Sequence, residues 1–144
     1  MAGETTQADG YTPVQFETPG RLLGVLDVTH EVSAGELELA DVIEFGQVPE
    51  GAVYVDGYLA CDDLDTDGTP ALTFDVGDDD DPDGLLDGSN VGQAGGVARF
   101  NGALLVNKTK TDGPKTISVT VASAAEAGAA GTIRLVLMYY CPDH

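Results

Sequence analysis

Basic residues are scarce: six Lys and Arg stand against 25 Asp and Glu, a formal charge of −19. A surface of that sign repels nucleic acid and anionic lipid, so direct DNA binding is excluded and a saline habitat or a partner with basic surface is expected. Histidine is rarer still. His30 and His144 are the only imidazoles, and neither lies near a G-x-S-x-G sequence, so a Ser-His-Asp or Cys-His site lacks an evident base and no catalytic residue is assigned. Two cysteines, Cys61 and Cys141, exclude a disulfide scaffold and leave one bridge or two thiols; both sit in apparent strands, where free Cys behaves as a small core residue. No C-x-x-C or H-E-x-x-H occurs, so structural zinc has no ligand set. No apolar run approaches the roughly 20 residues that cross a bilayer, and residues 1–10 lack the basic and apolar regions of a signal peptide. The chain is therefore expected to act in soluble form, away from membranes.

What is present is punctuation and short apolar alternation. The 144 residues include 19 Gly and 7 Pro and no Trp, with a 42% hydrophobic fraction, a composition that suits one core and many short strands. Residues 21–30 read as a strand. Glu36, Leu37, Glu38 and Leu39 alternate strictly, and a phase shift near Asp41 marks a bulge or a new strand. Val48-Pro49-Glu50-Gly51 has Pro and Gly where a type I turn favours them, which predicts a link between two antiparallel strands. In the strand that follows, Val53, Val55, Gly57, Leu59 and Cys61 share one side and Tyr54 and Tyr58 the other. Residues 71–77 repeat the pattern with Leu72, Phe74 and Val76, predicting a hairpin or neighbouring pair across the turn-rich residues 63–70. Residues 78–102 form a long acidic, Gly-rich loop. Residues 103–108 and Ile117, Val119 and Val121 then predict a second hairpin. The expected fold is an all-β antiparallel sandwich, with a jelly roll as one form of it. Residues 1–20 form a polar N-terminal arm and residues 21–144 a single domain.

Two segments are suited to subunit contacts. The arm carries a few apolar anchors, Tyr11, Val14 and Phe16, which order against a neighbouring subunit or fray with the terminus. The last strand, residues 132–141, has Ile133, Leu135, Leu137 and Tyr139 on one side and Val136, Met138 and Tyr140 on the other. Two apolar faces need two covers, either a second sheet layer or a partner subunit.

One local pattern points to a cation. Asp63-Leu64-Asp65-Thr66-Asp67-Gly68 reproduces the first half of a Ca²⁺ loop, in which Asp63, Asp65 and Asp67 converge on the ion and Gly makes the turn. The bidentate Glu of the second half is missing, with Phe74 in its place, so the segment reads first as an ordinary Asp/Gly hairpin loop, with Ca²⁺ binding the alternative; no cofactor is required. Asp78 to Asp81, Asp83 and Asp87 make a denser acidic run, whose usual fate is solvation.

Val48-Pro49-Glu50-Gly51, the strand Val53 to Leu59, Asp62-Asp63-Leu64-Asp65, Gly68-Thr69-Pro70, Leu72 to Gly77 and Leu86-Asp87-Gly88-Ser89 together resemble small virion proteins of tailed phages, the capsid decoration or cement proteins. The resemblance covers roughly the middle third and includes no catalytic signature. It implies a structural protein on the outer capsid surface, bound to the major capsid protein, bridging subunits against the pressure of packaged DNA and assembled as a homo-oligomer, with a trimer favoured. The competing reading is a receptor- or carbohydrate-binding head-fibre or tail-associated sandwich, with calcium at the Asp63 loop and Tyr54 and Tyr58 as a glycan platform.

Overall fold

The computed structural model describes residues 2–14, 22–107 and 109–143. Among the described residues nine strands form two sheets: β1 (Thr5–Thr12), β2 (Gly24–Val32), β3 (Val42–Val48), β4 (Val53–Cys61), β5 (Thr73–Gly77), β6 (Leu86–Ser89), β7 (Gly96–Arg99), β8 (Lys115–Ser123) and β9 (Gly131–Tyr140). Sheet A has the order β1-β3-β8-β5-β6 and sheet B the order β2-β9-β4-β7. All pairings are antiparallel except β1 with β3. The all-β sandwich expected from the sequence is the fold observed.

Alternation accounts for the packing. In β2, Leu26, Val28, His30 and Val32 point into the core and Val25, Asp27, Thr29 and Glu31 point out. Ile117, Val119 and Val121 of β8 face them from sheet A, with Phe45 and Phe74 completely buried. The chain changes sheet at nearly every connection, and this corrects both predicted hairpins. β4 and β5 lie in different sheets, so residues 63–70 are a crossover, and Val48 to Gly51 likewise carries the chain from sheet A to sheet B. Ala103–Val106 is a single helical turn rather than a strand. The acidic loop 78–102 contains two short strands, β6 and β7, whose Gly-rich composition hides them from a hydrophobic pattern.

The polar arm is also corrected. Over Thr5–Thr12 it is a strand, paired in parallel with β3 from Thr5 opposite Val42 to Thr12 opposite Gly46. The domain therefore includes residues assigned to the arm. Only Ala8 of this strand is deeply buried, so apolar alternation gives no sign of it; backbone hydrogen bonds hold it. Gly46 permits the close approach, since a Cβ there would lie 2.7 Å from the Thr12 carbonyl oxygen. Of the arm residues named as contacts, Tyr11 is half-buried, and burial raises its phenol pKa against a lowering hydrogen bond with Thr116. Val14 is exposed. Phe16 lies outside the described residues.

His30 joins the arm strand to sheet B. The Asp9 amide donates to His30 Nδ1 at 3.0 Å, and Nε2 lies 2.8 Å from Glu36 Oε2. The Asp9 carboxylate also stands 3.3 Å from Nδ1, so acidic groups flank both ring nitrogens. Asp9 returns the contact by accepting the Glu31 amide at 2.9 Å. The buried histidine is thus a strut between β1, β2 and the turn Ala34–Glu36. Replacing it removes a partner from each. His30→Ala is expected to lower stability by about 1–3 kcal/mol in urea unfolding and to speed hydrogen exchange at the Asp9 amide.

Candidate interaction surface

The two outward faces of the sandwich differ in chemistry. On sheet A, β8 presents Thr116, Ser118 and Thr120 beside Glu44 of β3, Asp75 of β5 and Asp87 of β6. This face is hydroxyl and carboxylate. On sheet B the strand register sets out rows of neighbours. Tyr140 lies beside Val53; Val25, Met138 and Asp56 make the next row; then come Asp27, Val136, Tyr58 and Arg99, followed by Thr29, Arg134, Ala60 and Val97. The first two rows are mainly apolar, and two bidentate ion pairs link the second row to the third and the third to the fourth. Arg134 donates to Asp27 at 2.9 and 2.7 Å, and Arg99 to Asp56 at 3.0 and 2.8 Å. Hydrogen bonding to these guanidinium groups holds both aspartates below the usual carboxylate range. Arg134 also lies over the Tyr58 ring, 5.9 Å from its centre.

Among the described residues no second layer covers this face, so β9 is not a strand between layers. Val136, Met138 and Tyr140 are brought together with Val25, Val53 and Val55. Val136 and Val53 are shielded by their neighbours yet stand outside the core cluster, while Val25 and Val55 are exposed. A bulge in β4 makes this arrangement. The register slips between Tyr54 and Asp56, adding Val55 to the outward side and turning Tyr54 inward opposite Tyr139. Beyond the slip, the core-facing position opposite Leu137 is Gly57, where no side chain fits: a Cβ would lie 2.2 Å from the Val136 carbonyl oxygen.

The same bulge overturns the paired-tyrosine platform. Tyr58 is on the outer face, but Tyr54 is buried and its hydroxyl donates to Asp78 Oδ2 at 2.8 Å. Burial and the Asp78 charge raise the Tyr54 pKa far above the ordinary phenol value. A sequence pattern of strict alternation contains no sign of an inserted residue, and the inward turn of Tyr54 could not be read from it.

The aspartates of the half calcium loop also find other partners. Asp65 is 1% exposed, and its oxygens accept the amides of Ala71 at 2.8 Å, Leu72 at 3.1 Å, Glu126 at 3.1 Å and Ala127 at 2.9 Å. Burial opposes its charge, but these amides prevail and hold the carboxyl far below the usual range. Asp63 accepts the Asp65 amide and Asp67 accepts the Thr69 amide. Asp63, Asp65 and Asp67 therefore do not form a convergent cage. Asp65 instead ties the crossover after β4 to the loop before β9. Among the described residues, Asp75, Asp83 and Asp87 are the acidic group whose ligand oxygens lie within 4.8 Å of one another. Asp75 and Asp87 meet because β5 pairs with β6, Asp83 comes from the turn between those strands, and the group is largely exposed. Next to it, a hydrogen bond with Asp83 raises the Asp81 pKa, as does the crowding of like charge.

The cysteines are free. Cys141 is buried and Cys61 half-buried, the latter's thiol pushed up to about 12 by burial and by Asp62 and Asp63. Cys61 pairs in register with Ile133 while Cys141 follows Tyr140, so they occupy opposite ends of the sheet.

No protein-family model and no curated protein matches the chain. Among solved structures, a chain of "Capsid of Ralstonia phage GP4" is 33% identical and superimposes with a TM-score of 0.74, over 94% of this chain and 97% of that one. A chain of "Cyanophage Pam1 capsid asymmetric unit" is 31% identical with a TM-score of 0.76, over 89% of this chain and 91% of that one.

Two outcomes follow from the Asp65 geometry. Asp65→Ala leaves several buried amides without an acceptor and is expected to lower unfolding free energy by about 3 kcal/mol, measured in urea at neutral pH. Since the folded pKa is depressed, this stabilisation is complete above the unfolded carboxyl value of about 4 and fades as pH falls toward the lower folded value, so the gap between variant and wild type narrows in acid. Calcium is expected to leave the thermal midpoint of the wild type within about 1 °C of its value in chelator, because bound ligand would raise it.

Proposed function

Because the chain belongs to the family of phage capsid proteins represented in the Ralstonia phage GP4 and cyanophage Pam1 capsids, and is thus a structural protein of a phage virion, we propose that it decorates the outside of the shell and cements it by bridging subunits of the major capsid protein. The observation that carries this reading is the 33% identity sustained over 94% of the chain, which extends the likeness from the middle third to the whole fold. The charge of −19 supports the outer position, since an acidic protein on the outside is separated by the shell from packaged DNA of the same sign. The acidic side, with Asp75, Asp83 and Asp87 together, suits basic patches on the shell. Several weak contacts from each copy add up when copies assemble, and we favour a trimer. The role is mechanical and needs neither a catalytic residue nor a cofactor.

Mixing the purified protein with undecorated capsids is expected to give saturable binding and greater resistance of the shell to heat and osmotic shock. Binding is expected to weaken as salt rises from about 50 to 500 mM, as contacts between unlike charges do. Absence of binding at low salt would refute the proposal.

A further inference from the structure

We propose that the outward face of sheet B is the surface through which copies of this chain meet each other, the acidic surfaces being left for the shell. The inference rests on the reading that the protein works in several copies, and it identifies which face joins them.

The first support is apolar exposure that the fold does not use. Val25 is 52% exposed and Val55 42%, and just before β2 Leu22 and Leu23 are 65% and 54% exposed. Val25 is paired with Met138, Val55 is the bulge residue next to Asp56 in that same row, and Leu22 and Leu23 lead into β2 just ahead of its first pair, Gly24 with Tyr139, so the exposed apolar residues gather toward one end of the face. A contiguous apolar end of this kind marks an interaction surface, whereas apolar residues scattered singly do not.

The second support is charge, which selects the occupant. Two molecules with a net charge of −19 repel wherever their acidic surfaces approach within about 8 Å, the screening length at physiological salt. The outward strand residues of sheet B escape this. Arg99 and Arg134 there balance Asp56 and Asp27 in bidentate pairs, and the remaining carboxylate, Glu31, accepts the Thr132 hydroxyl at 2.8 Å. A basic partner gains nothing from such a face and is drawn to the acidic surfaces. A second copy brings the same near-neutral apolar rows, and its Arg and Asp side chains can exchange partners across the contact. Size also fits: three strands of nine or ten residues and the four-residue β7, about 4.8 Å apart, span at most roughly 20 by 30 Å, approaching the ~800 Å² per partner of a standard interface once relief is included.

The test is the mass of the full chain by light scattering or sedimentation at about 10–100 μM in about 0.15 M salt, a range chosen so that contacts of micromolar affinity are populated. The wild type is expected to be a discrete oligomer. Val25→Asp and Leu23→Asp, both at exposed positions, are expected to keep the wild-type circular dichroism and thermal midpoint while raising the dissociation constant at least tenfold. Asp87→Asn, on the acidic face, is expected to leave the oligomer intact. A monomeric wild type, or folded Val25→Asp and Leu23→Asp variants that keep the wild-type mass, would overturn the proposal. Capsid binding by the wild type is scored separately, so failure of the decoration reading does not alter the mass measurement.

Discussion

Sheet B depends on one long-range pairing: its last strand, β9, lies between β2 and β4 and bonds to both along nearly its whole length. The Asp27 to Arg134 ion pair on that ladder spans 107 positions of sequence. Among the described residues β2 has no other partner in the sheet and β4 has only the four-residue β7, so closing β9 into place joins the two halves and creates the inner core face and the outer face at once. Such pairings require long loops to close before any contact forms, which makes this the slow, cooperative step of folding. The same placement leaves one side of β9 packed on sheet A and the other on the outside of the molecule, where Val136, Met138 and Tyr140 join the exposed valines of neighbouring strands.

The shape of that outer face is set by an irregularity. One extra residue in β4 reverses the inward and outward assignment of everything on its N-terminal side, so Tyr54 leaves the surface for the core and Val55 is added to the surface. The buried Tyr54 hydroxyl then needs a partner and finds Asp78, whose other oxygen accepts the Asp80 and Asp81 amides at 3.0 Å. A bulge in one sheet is thereby linked to the acidic turn after β5 in the other.

Acidic side chains have two roles in this protein. Asp41, Asp65 and Asp78 are buried and accept backbone amides, which lets irregular crossovers pack against a core without orphaned donors. Most of the others are exposed and give the virion component its charge. In sequence the two kinds look alike. Asp65 stands in the middle of a pattern that resembles a cation loop, yet its oxygens serve amides from a loop about 60 positions away.

The amino-acid sequence by itself determined the strand segments with strict alternation, β2, β5, β8 and β9, because side-chain direction in a strand is a local property. It determined the acidic surface and the all-β class for the same reason: composition and turn chemistry need no partner. The two-faced character of β9 was also legible, although what lay on each side was not. Only the tertiary structure decided that the polar residues of Thr5–Thr12 form a strand, that consecutive segments cross between sheets instead of forming hairpins, that Tyr54 turns inward, and that Asp65 accepts amides from distant loops. Each of these depends on hydrogen bonds or register between residues distant in sequence, and such pairings leave no trace in the order of apolar and polar residues within any one segment.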